Sequence, residues 1–307
     1  MNGIFTYSTR FRDRFQQYIS LNEGGTPLVS SPLLANHYGI AAIYFKDETK
    51  NPTGSFKDRA TAYQLTYWRE MGHKQFVLSS SGNAAISAAA YCNKAGLQLD
   101  IFVSPVIPQL KKERLEAAAQ SEKIAIHYVH RPKHDAFQFA KVNDAINLVQ
   151  SKDDSAIEGY KTLGFELTEE MKEPINGIFM PTSSGTGLIG IGEGTDFSIP
   201  LYAIQTTKVY PIARHFDTEF IPTETSLSSA ISAYATTRER NVVAKITATG
   251  GSSYAIRDEE IETALKDMKI YTNMDISYDS ALSIAGLIRA LQEGKAINRA
   301  ICILTGK

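Results

Sequence analysis

Short runs rich in β-branched and aromatic residues alternate with helical patterns along almost the whole chain. The pattern predicts strands at Ile43–Lys46, Gln75–Ser79, Leu99–Ser104, Ile124–Val129, Gly177–Met180, Tyr202–Thr206 and Ile301–Leu304. It predicts helices at Arg59–Glu70, Ala84–Ala95, Leu110–Ala119, Asp135–Val149, Leu163–Met171, Asp258–Met268 and Ser280–Glu293. Such βαβα alternation calls for an α/β protein of open, mostly parallel sheets flanked by helices. Ligands of such sheets collect at the carboxyl ends of strands, in the loops leading to helices. There is no internal repeat and no low-complexity tract. Nor is there a linker rich in Pro, Gly or Ser, so any lobe boundary crosses packed structure. Two lobes sharing a cleft, the smaller inserted into the larger, satisfy that condition.

At 307 residues the chain can build two lobes or one large α/β domain. Hydrophobic content of 43% and charged content of 21% describe a globular protein with a sizeable core. A formal net charge of -1 gives no electrostatic case for nucleic acid or an anionic membrane as partner. Cys92 and Cys302 each sit in an apolar run and read as buried free thiols of a reducing compartment. Met1–Arg14 is mixed polar and basic without a long apolar stretch, which is not a secretory signal. No segment has the apolar length of a membrane span, so a cytoplasmic location is expected.

The most informative segment is Asn51-Pro52-Thr53-Gly54-Ser55-Phe56-Lys57-Asp58-Arg59. Pro52 and Gly54 read as loop and Ala60–Glu70 as helix, which puts Lys57 in the first helical turn. Beside the positive end of a helix dipole, a lysine has a reason to lose its proton. A neutral amine is what Schiff-base chemistry with a carbonyl needs. A solvated lysine in a Lys-Asp-Arg charge cluster is the competing reading.

Three loops could build a site. Leu78–Ala85 joins a strand to a helix of small residues. Ser80, Ser81 and the amides around Gly82 can present donors to a carboxylate, and Asn83 adds a side-chain amide. An ordinary helix N-cap explains the same residues. Met180–Gly190 is a second strand-to-helix turn, in which Gly185 and Gly187 let backbone approach an anion while Ser183, Ser184 and Thr186 add hydroxyls. It matches neither the dinucleotide nor the P-loop pattern, so a single-phosphate cradle or a tight structural turn remain. The third is Ala300–Lys307, an apolar run that puts Thr305 at the carboxyl end of a buried strand. A structural threonine is common there too.

Other features carry less. His127, His130 and His134 have no carboxylate at a regular metal-ligand spacing, so no metal site is expected. Asp47 and Glu48 are strand neighbours and point to opposite faces, which argues against an acid–base pair.

Taken in order, these segments resemble the pyridoxal-phosphate enzymes of the tryptophan-synthase-β-like fold (fold type II), and among them the threonine synthase family. The likeness starts at Leu21-Asn22-Glu23-Gly24-Gly25-Thr26-Pro27-Leu28 and continues through Phe45–Glu48 and the lysine motif Asn51–Arg59. It runs on through Ser81–Ala85, Glu158–Glu166, the Ser183–Gly190 loop and Leu304-Thr305-Gly306. The resemblance implies that Lys57 holds pyridoxal 5'-phosphate as a Schiff base and takes the substrate's Cα proton. It implies that Asn83 bonds to the phenolic oxygen of the ring. Ser183, Ser184, Gly185, Thr186 and Gly187 would cradle the phosphate, and Thr305 would meet the pyridine nitrogen. Ser80, Ser81, Gly82 and Ala84 would grip the carboxylate of a small amino acid, with Lys161 as the cation for a second anion and Arg59 next. A surface lysine beside Glu158 is the competing reading of Lys161. Residues 1–58 and 151–307 would form the large cofactor-binding domain and 59–150 the small domain, with the active site in the cleft. Relatives of this fold are commonly dimers, so a homodimer is expected.

The implied reaction is β,γ-elimination and replacement, O-phosphohomoserine giving threonine and phosphate. A threonine or serine dehydratase, a diaminopropionate lyase or a cysteate synthase-like enzyme would share the cofactor residues. So would a cofactor-binding pseudoenzyme. Three departures bear on this choice. Ser183 stands where many relatives carry glycine. Ser277-Tyr278-Asp279-Ser280-Ala281 stands where many carry Glu-Pro-Ala-(Gly/Ser)-Ala, and the usual short tail after Thr-Gly is replaced by Lys307.

Overall fold

The computed structural model describes residues 3–307. In chain order its first elements are β1 (Leu28–Ser30), α1 (Pro32–His37), β2 (Ala42–Asp47), α2 (Lys57–Glu70), β3 (Gln75–Ser79), α3 (Asn83–Ala95), β4 (Gln98–Val103) and α4 (Gln109–Ala118). There follow β5 (Ile124–Tyr128), α5 (Pro132–Asn143), β6 (Ile146–Asn147), α6 (Ser155–Glu170), β7 (Gly177–Pro181) and α7 (Thr186–Gly194). The last are β8 (Leu201–Thr206), α8 (Glu239–Ala248), β9 (Ser252–Ile256), α9 (Asp258–Thr272), α10 (Tyr278–Gln292) and β10 (Arg299–Leu304).

The chain forms two compact units. The first comprises the residues up to Gly25 together with Asn51–Gly159. The second comprises Thr26–Lys50 and Tyr160–Lys307. The first unit carries a four-stranded sheet in the order β5-β4-β3-β6, parallel throughout. The second carries a six-stranded sheet in the order β1-β2-β10-β7-β8-β9, parallel except for the β1–β2 pair. This is the α/β architecture of two mainly parallel sheets flanked by helices that the alternation predicts. Each sheet has its own apolar core, built around Phe76, Leu99 and Ile101 in the first unit and Phe45, Phe179 and Ile204 in the second. Cys92 and Cys302 are buried free thiols in these cores. Among the described residues, no helix is long and apolar enough to cross a membrane.

The unit boundaries fall elsewhere than the 58/59 and 150/151 divisions expected from the sequence. An aromatic cluster draws the leading segment into the first unit. Phe11 and Phe15 meet the Tyr63 ring edge-on at centroid separations of 4.9 and 5.3 Å. The Tyr63 hydroxyl donates to Asp13 (2.8 Å) and the Ile19 amide donates to Thr66 Oγ1 (2.9 Å). These contacts are invisible to a reading of periodicity.

Local differences have local causes. The expected helix Asp135–Val149 stops at Asn143, because Asp144 turns left-handed at φ 50° and Ile146–Asn147 then joins the sheet. α6 begins at Ser155, eight residues before the expected start at Leu163, because Asp153 Oδ1 accepts from the Ser155 amide (2.9 Å) and hydroxyl (2.6 Å). α7 is a helix despite four glycines. A Cβ on Gly164 of α6 would fall 2.4 Å from the Ile191 carbonyl oxygen, and one on Gly194 would fall 2.2 Å from that of Lys161. The glycines let the two helix backbones touch, and packing overrides their weak helix propensity.

Candidate active site

Lys57 is the first residue of α2, as the loop-to-helix reading predicts. The turn before it is closed by Asp58, whose carboxylate accepts from the Thr53 amide (2.7 Å) and from the Thr53 hydroxyl. Gly54 bonds back to the Asn51 carbonyl (2.8 Å) at φ 86°, a conformation natural to glycine. The spacing of Thr53, Gly54 and Asp58 thus fixes where the Lys57 side chain leaves the backbone. Its Nζ donates to Gln150 Oε1 (3.1 Å) and lies 4.5 Å from the centre of the Phe56 ring. Burial lowers the Lys57 pKa to about 8, so a substantial fraction of the amine is neutral near physiological pH. Asp58 is displaced the other way, to about 6, by burial, with its Thr53 hydrogen bonds opposing the rise.

The Ser80–Ala84 segment lies in the same unit, at the carboxyl end of β3 and the start of α3. Ser80 Oγ accepts from the Gly82 amide (3.2 Å), and Gly82 is the extended N-cap residue. Asn83 occupies the first helical position, and its side-chain amide has no partner among the described residues. Ser80, Ser81, Gly82, Asn83 and Ala84 are all partly exposed, so a ligand can reach them. Arg59 is different. It is fully buried within the first unit, in the cluster where Tyr91 donates to Glu23 (2.7 Å) and feels the Arg59 charge.

In the second unit, β7 leads through Thr182–Gly185 into α7. Three carbonyls of this turn are held by side-chain donors. Gln205 Nε2 donates to the Thr182 and Ser183 carbonyls (3.0 and 3.4 Å), and Thr236 Oγ1 donates to that of Ser184 (2.9 Å). In a trans peptide the following N–H points the opposite way, so the amides of Ser183, Ser184 and Gly185 face away from those donors. None of the three has an acceptor among the described residues. Gly185, at φ 88°, packs so closely on α8 that an added Cβ would lie 2.3 Å from Val242 Cγ2. Ser184 Oγ and Thr186 Oγ1 lie 3.1 Å apart at the mouth of α7. Gly187 is buried in its first turn. Outward amides ahead of a helix N-terminus make an anion cradle.

Thr305 follows β10 and is 7% exposed. β10 pairs with β7 in parallel, Ala300 opposite Gly177 and Cys302 opposite Phe179, so Thr305 and Thr182 each follow the carboxyl end of one of two neighbouring strands. The Thr182–Gly185 turn and the Thr305 hydroxyl thus lie at the same end of the sheet, after neighbouring strands. That hydroxyl has no partner among the described residues. Gly306 is clamped behind it, its carbonyl accepting from Ser277 Oγ (2.6 Å) and Ser280 Oγ (2.9 Å). Lys161 is also in this unit, and its Nζ is paired with Glu193 of α7 (2.8 Å). The structure therefore gathers Lys57 and the Ser80–Ala84 turn in one unit, and the Thr182–Gly185 turn, Thr305 and Lys161 in the other.

Four residues missed by the sequence reading hold this arrangement: Gln150 at the lysine amine, Gln205 beneath the turn, and Ser277 and Ser280 behind Thr305. Gln205 gives a signal in the sequence as a polar residue directly after the apolar run Leu201–Ile204, and Ser277 and Ser280 give one as part of the segment that departs from the family pattern.

Residues 19–306 match the pyridoxal-phosphate dependent enzyme family. The chain belongs to that family. It is 28% identical to a threonine synthase of Methanosarcina acetivorans over 94% of this chain and 75% of the relative. It is 29% identical to a threonine synthase of Methanocaldococcus jannaschii, with the same two coverages of 94% and 75%. Its fold is that of the processed form of threonine deaminase isoform 2 from Solanum lycopersicum, at TM-score 0.78 and 18% identity over 92% of this chain and 78% of that one. Maize serine racemase aligns at TM-score 0.78 and 19% identity over 92% of this chain and 87% of that one. The cofactor is pyridoxal 5'-phosphate. The residues fit it: a lysine of lowered pKa for the aldehyde, amides without an acceptor just ahead of a helix N-terminus for the phosphate, and the unpaired hydroxyl of Thr305 after the neighbouring strand.

Proposed function

We propose that this enzyme is a lyase that converts O-phosphohomoserine to threonine and phosphate. The amine of Lys57, seated at a helix start with its pKa lowered by burial, is the observation that carries the lyase reading. The threonine synthase relatives, aligned over 94% of the chain, support the substrate. Lys57 carries the cofactor, Asn83 bonds to the phenolic oxygen of the ring, residues 183–187 hold its phosphate and Thr305 meets the pyridine nitrogen. When bound, pyridoxal phosphate draws electrons from the substrate's Cα and makes its proton acidic. Lys57 Nζ takes that proton. Ser80 and Ser81, with the amides of Gly82 and Ala84, hold the substrate carboxylate and so orient the Cα–H bond. A hydroxyl holds a ring proton less firmly than a carboxylate, so Thr305 suits elimination and replacement at Cβ better than transamination. Loss of phosphate from Cγ with a proton from Cβ, then addition of the water hydroxyl at Cβ and return of protons to Cγ and Cα, account for the product. Lys161 receives the leaving phosphate by exchanging Glu193 for it.

A second reading has a specific observation in its favour. Lys161 is already paired with Glu193 and Arg59 is fully buried, so each cation expected to meet a substrate phosphate is engaged elsewhere. Elimination of ammonia from threonine or serine needs no such cation. One experiment separates the readings. The cofactor-loaded enzyme is titrated with O-phosphohomoserine, threonine and serine, following the cofactor absorption together with phosphate, ammonia and keto-acid release. Phosphate released from O-phosphohomoserine alone supports the first reading. Ammonia and keto acid from threonine or serine, without phosphate release, replace it with the second. Lys57→Ala is expected to remove turnover of every substrate and to leave no pyridoxyl adduct at position 57 after borohydride reduction.

A further inference from the structure

Residues 216–238, between a short helical turn at Ala213–His215 and α8, contain no helix or strand. Long irregular segments inside a compact unit are usually either functional or disordered. This one is pegged at closely spaced points along residues 226–236. Asp258 Oδ1 accepts from Ser226 Oγ and the Leu227 amide (both 3.0 Å). Asp279 Oδ1 accepts from Ser228 Oγ (2.5 Å) and the Ala230 amide (2.9 Å). Ile231 is 5% exposed in the core of the second unit. Ser183 Oγ then accepts from the Ser232 and Ala233 amides (3.2 and 3.1 Å), and Thr236 donates to the Ser184 carbonyl (2.9 Å).

Two successive pegs of this stretch, at residues 228–230 and at 232–233, meet the two parts of the cofactor site in this unit. Ser183 and Ser184 belong to the phosphate turn. Asp279 stands between Ser277 and Ser280, the two hydroxyls that clamp Gly306 beside Thr305. The Ser183 hydroxyl accepts from the pegged segment, a task that glycine at this position could not perform. Asp279 does the same where its own chain neighbours hold Gly306.

We propose that residues 226–236 are a strap that sets the separation between the phosphate turn and the Thr305 hydroxyl, with Ser183 and Asp279 as its two positioning residues. The inference builds on the cofactor assignment and extends it: neither residue needs to touch the cofactor through its side chain. Losing either peg slackens the strap at residues 228–233, between its remaining anchors at Asp258 and Ser184, so both losses have the same consequence and do not compound. Backbone that is pegged every few residues resists proteolysis, and freed backbone does not.

The test compares wild type, Ser183→Ala, Ser183→Thr, Asp279→Ala and the double Ala variant. Readouts are limited proteolysis mapped by mass spectrometry on cofactor-free protein, the equilibrium affinity for pyridoxal phosphate, and the phosphorus resonance of the bound cofactor. Each single Ala variant is expected to speed cleavage within 226–236 about tenfold and to weaken the cofactor by a similar factor, as lost hydrogen bonds to backbone amides do. The bound phosphorus resonance moves in both, although Asp279 lies on α10 and outside the turn. The double variant is no weaker than the worse single one, the mark of residues acting as one unit. Ser183→Thr, which keeps the acceptor oxygen, restores wild-type behaviour. Unchanged cleavage in Ser183→Ala and Asp279→Ala overturns the proposal, as does an additive double variant. If Ser183→Ala does not fold, Asp279→Ala and Ser183→Thr give the same decision. Wild-type protein that retains no pyridoxal phosphate would instead remove the cofactor assignment and leave the proteolysis comparison to decide whether the strap exists.

Discussion

A lysine reacts with an aldehyde only as a free amine, and Lys57 is placed where its charged form is disfavoured. Burial brings its pKa to about 8 from an ordinary value of 10.5. Gln150 works in the opposite sense, because its carbonyl oxygen accepts from Nζ and favours the ammonium. The rate of cofactor attachment, followed by stopped-flow absorbance, is therefore expected to rise about tenfold per pH unit below pH 8 and to level off above it, whereas an ordinary lysine keeps gaining to about pH 10.4. In Gln150→Leu the break moves to lower pH; a break that stays put would show that Gln150 does not govern the amine. The sign for stability follows from the same displacement. Between about pH 8 and 10.5 the unfolded chain binds the extra proton, so folding free energy of the cofactor-free protein grows across that window, and Lys57→Ala flattens it. At this scale the sequence is legible where partners are close in the chain. Thr53, Gly54, Lys57 and Asp58 form one motif and one turn. Gln150 is 93 positions away from Lys57, and nothing local marks it.

Among the elements, the join between β2 and α6 is ionic. Lys46 is fully buried, and its Nζ lies 2.9 Å from Glu166 and 2.8 Å from Glu170 while donating to the Thr26 carbonyl at 2.7 Å. Three acceptors around one ammonium satisfy all of its protons. Removing the cation takes a counter-charge away from a carboxylate that is almost wholly buried. Lys46→Met is therefore expected to lose about 3–5 kcal/mol of stability in urea unfolding. Lys46→Met combined with Glu166→Leu regains a good part of that, since an apolar pair leaves less uncompensated charge. A double variant as unstable as the single one would mean that Lys46 acts through its stem packing. Elements with a clean period were legible: β3 spans the residues predicted from its apolar run, and α9 and α10 deviate only at their ends. α7 was not, because its glycines read as turn until the facing glycine of α6 explains them. β6 was hidden for a different reason: a two-residue strand has no period, and only the left-handed Asp144 separates it from the helix before it.

For the molecule as a whole, the division into two α/β units was legible from the alternation of elements, but the leading segment was not. Its place is set by Phe11 and Phe15 against Tyr63, contacts between aromatic residues dozens of positions apart. The functional proposal gives each unit part of the cofactor, Lys57 and Asn83 in the first, the phosphate turn and Thr305 in the second. That assignment has a thermodynamic consequence. A ligand held by both units stabilises both, by about 2.7 kcal/mol at a hundredfold excess over Kd, which corresponds to a midpoint about 5–10 °C higher for units of this size. The single tryptophan, Trp68, lies in α2, so its fluorescence reports the first unit alone, while far-UV circular dichroism reports helices of both. Loading with pyridoxal phosphate is expected to raise both transitions together. In Lys57→Ala the covalent hold is gone and the turn at 183–187 still receives the phosphate, so the fluorescence transition shifts less than the dichroism one. A wild-type dichroism that splits, one part moving with the fluorescence and the rest staying at its cofactor-free midpoint, would mean that Lys57 and its neighbours hold the cofactor without Ser183–Gly187 and Thr305.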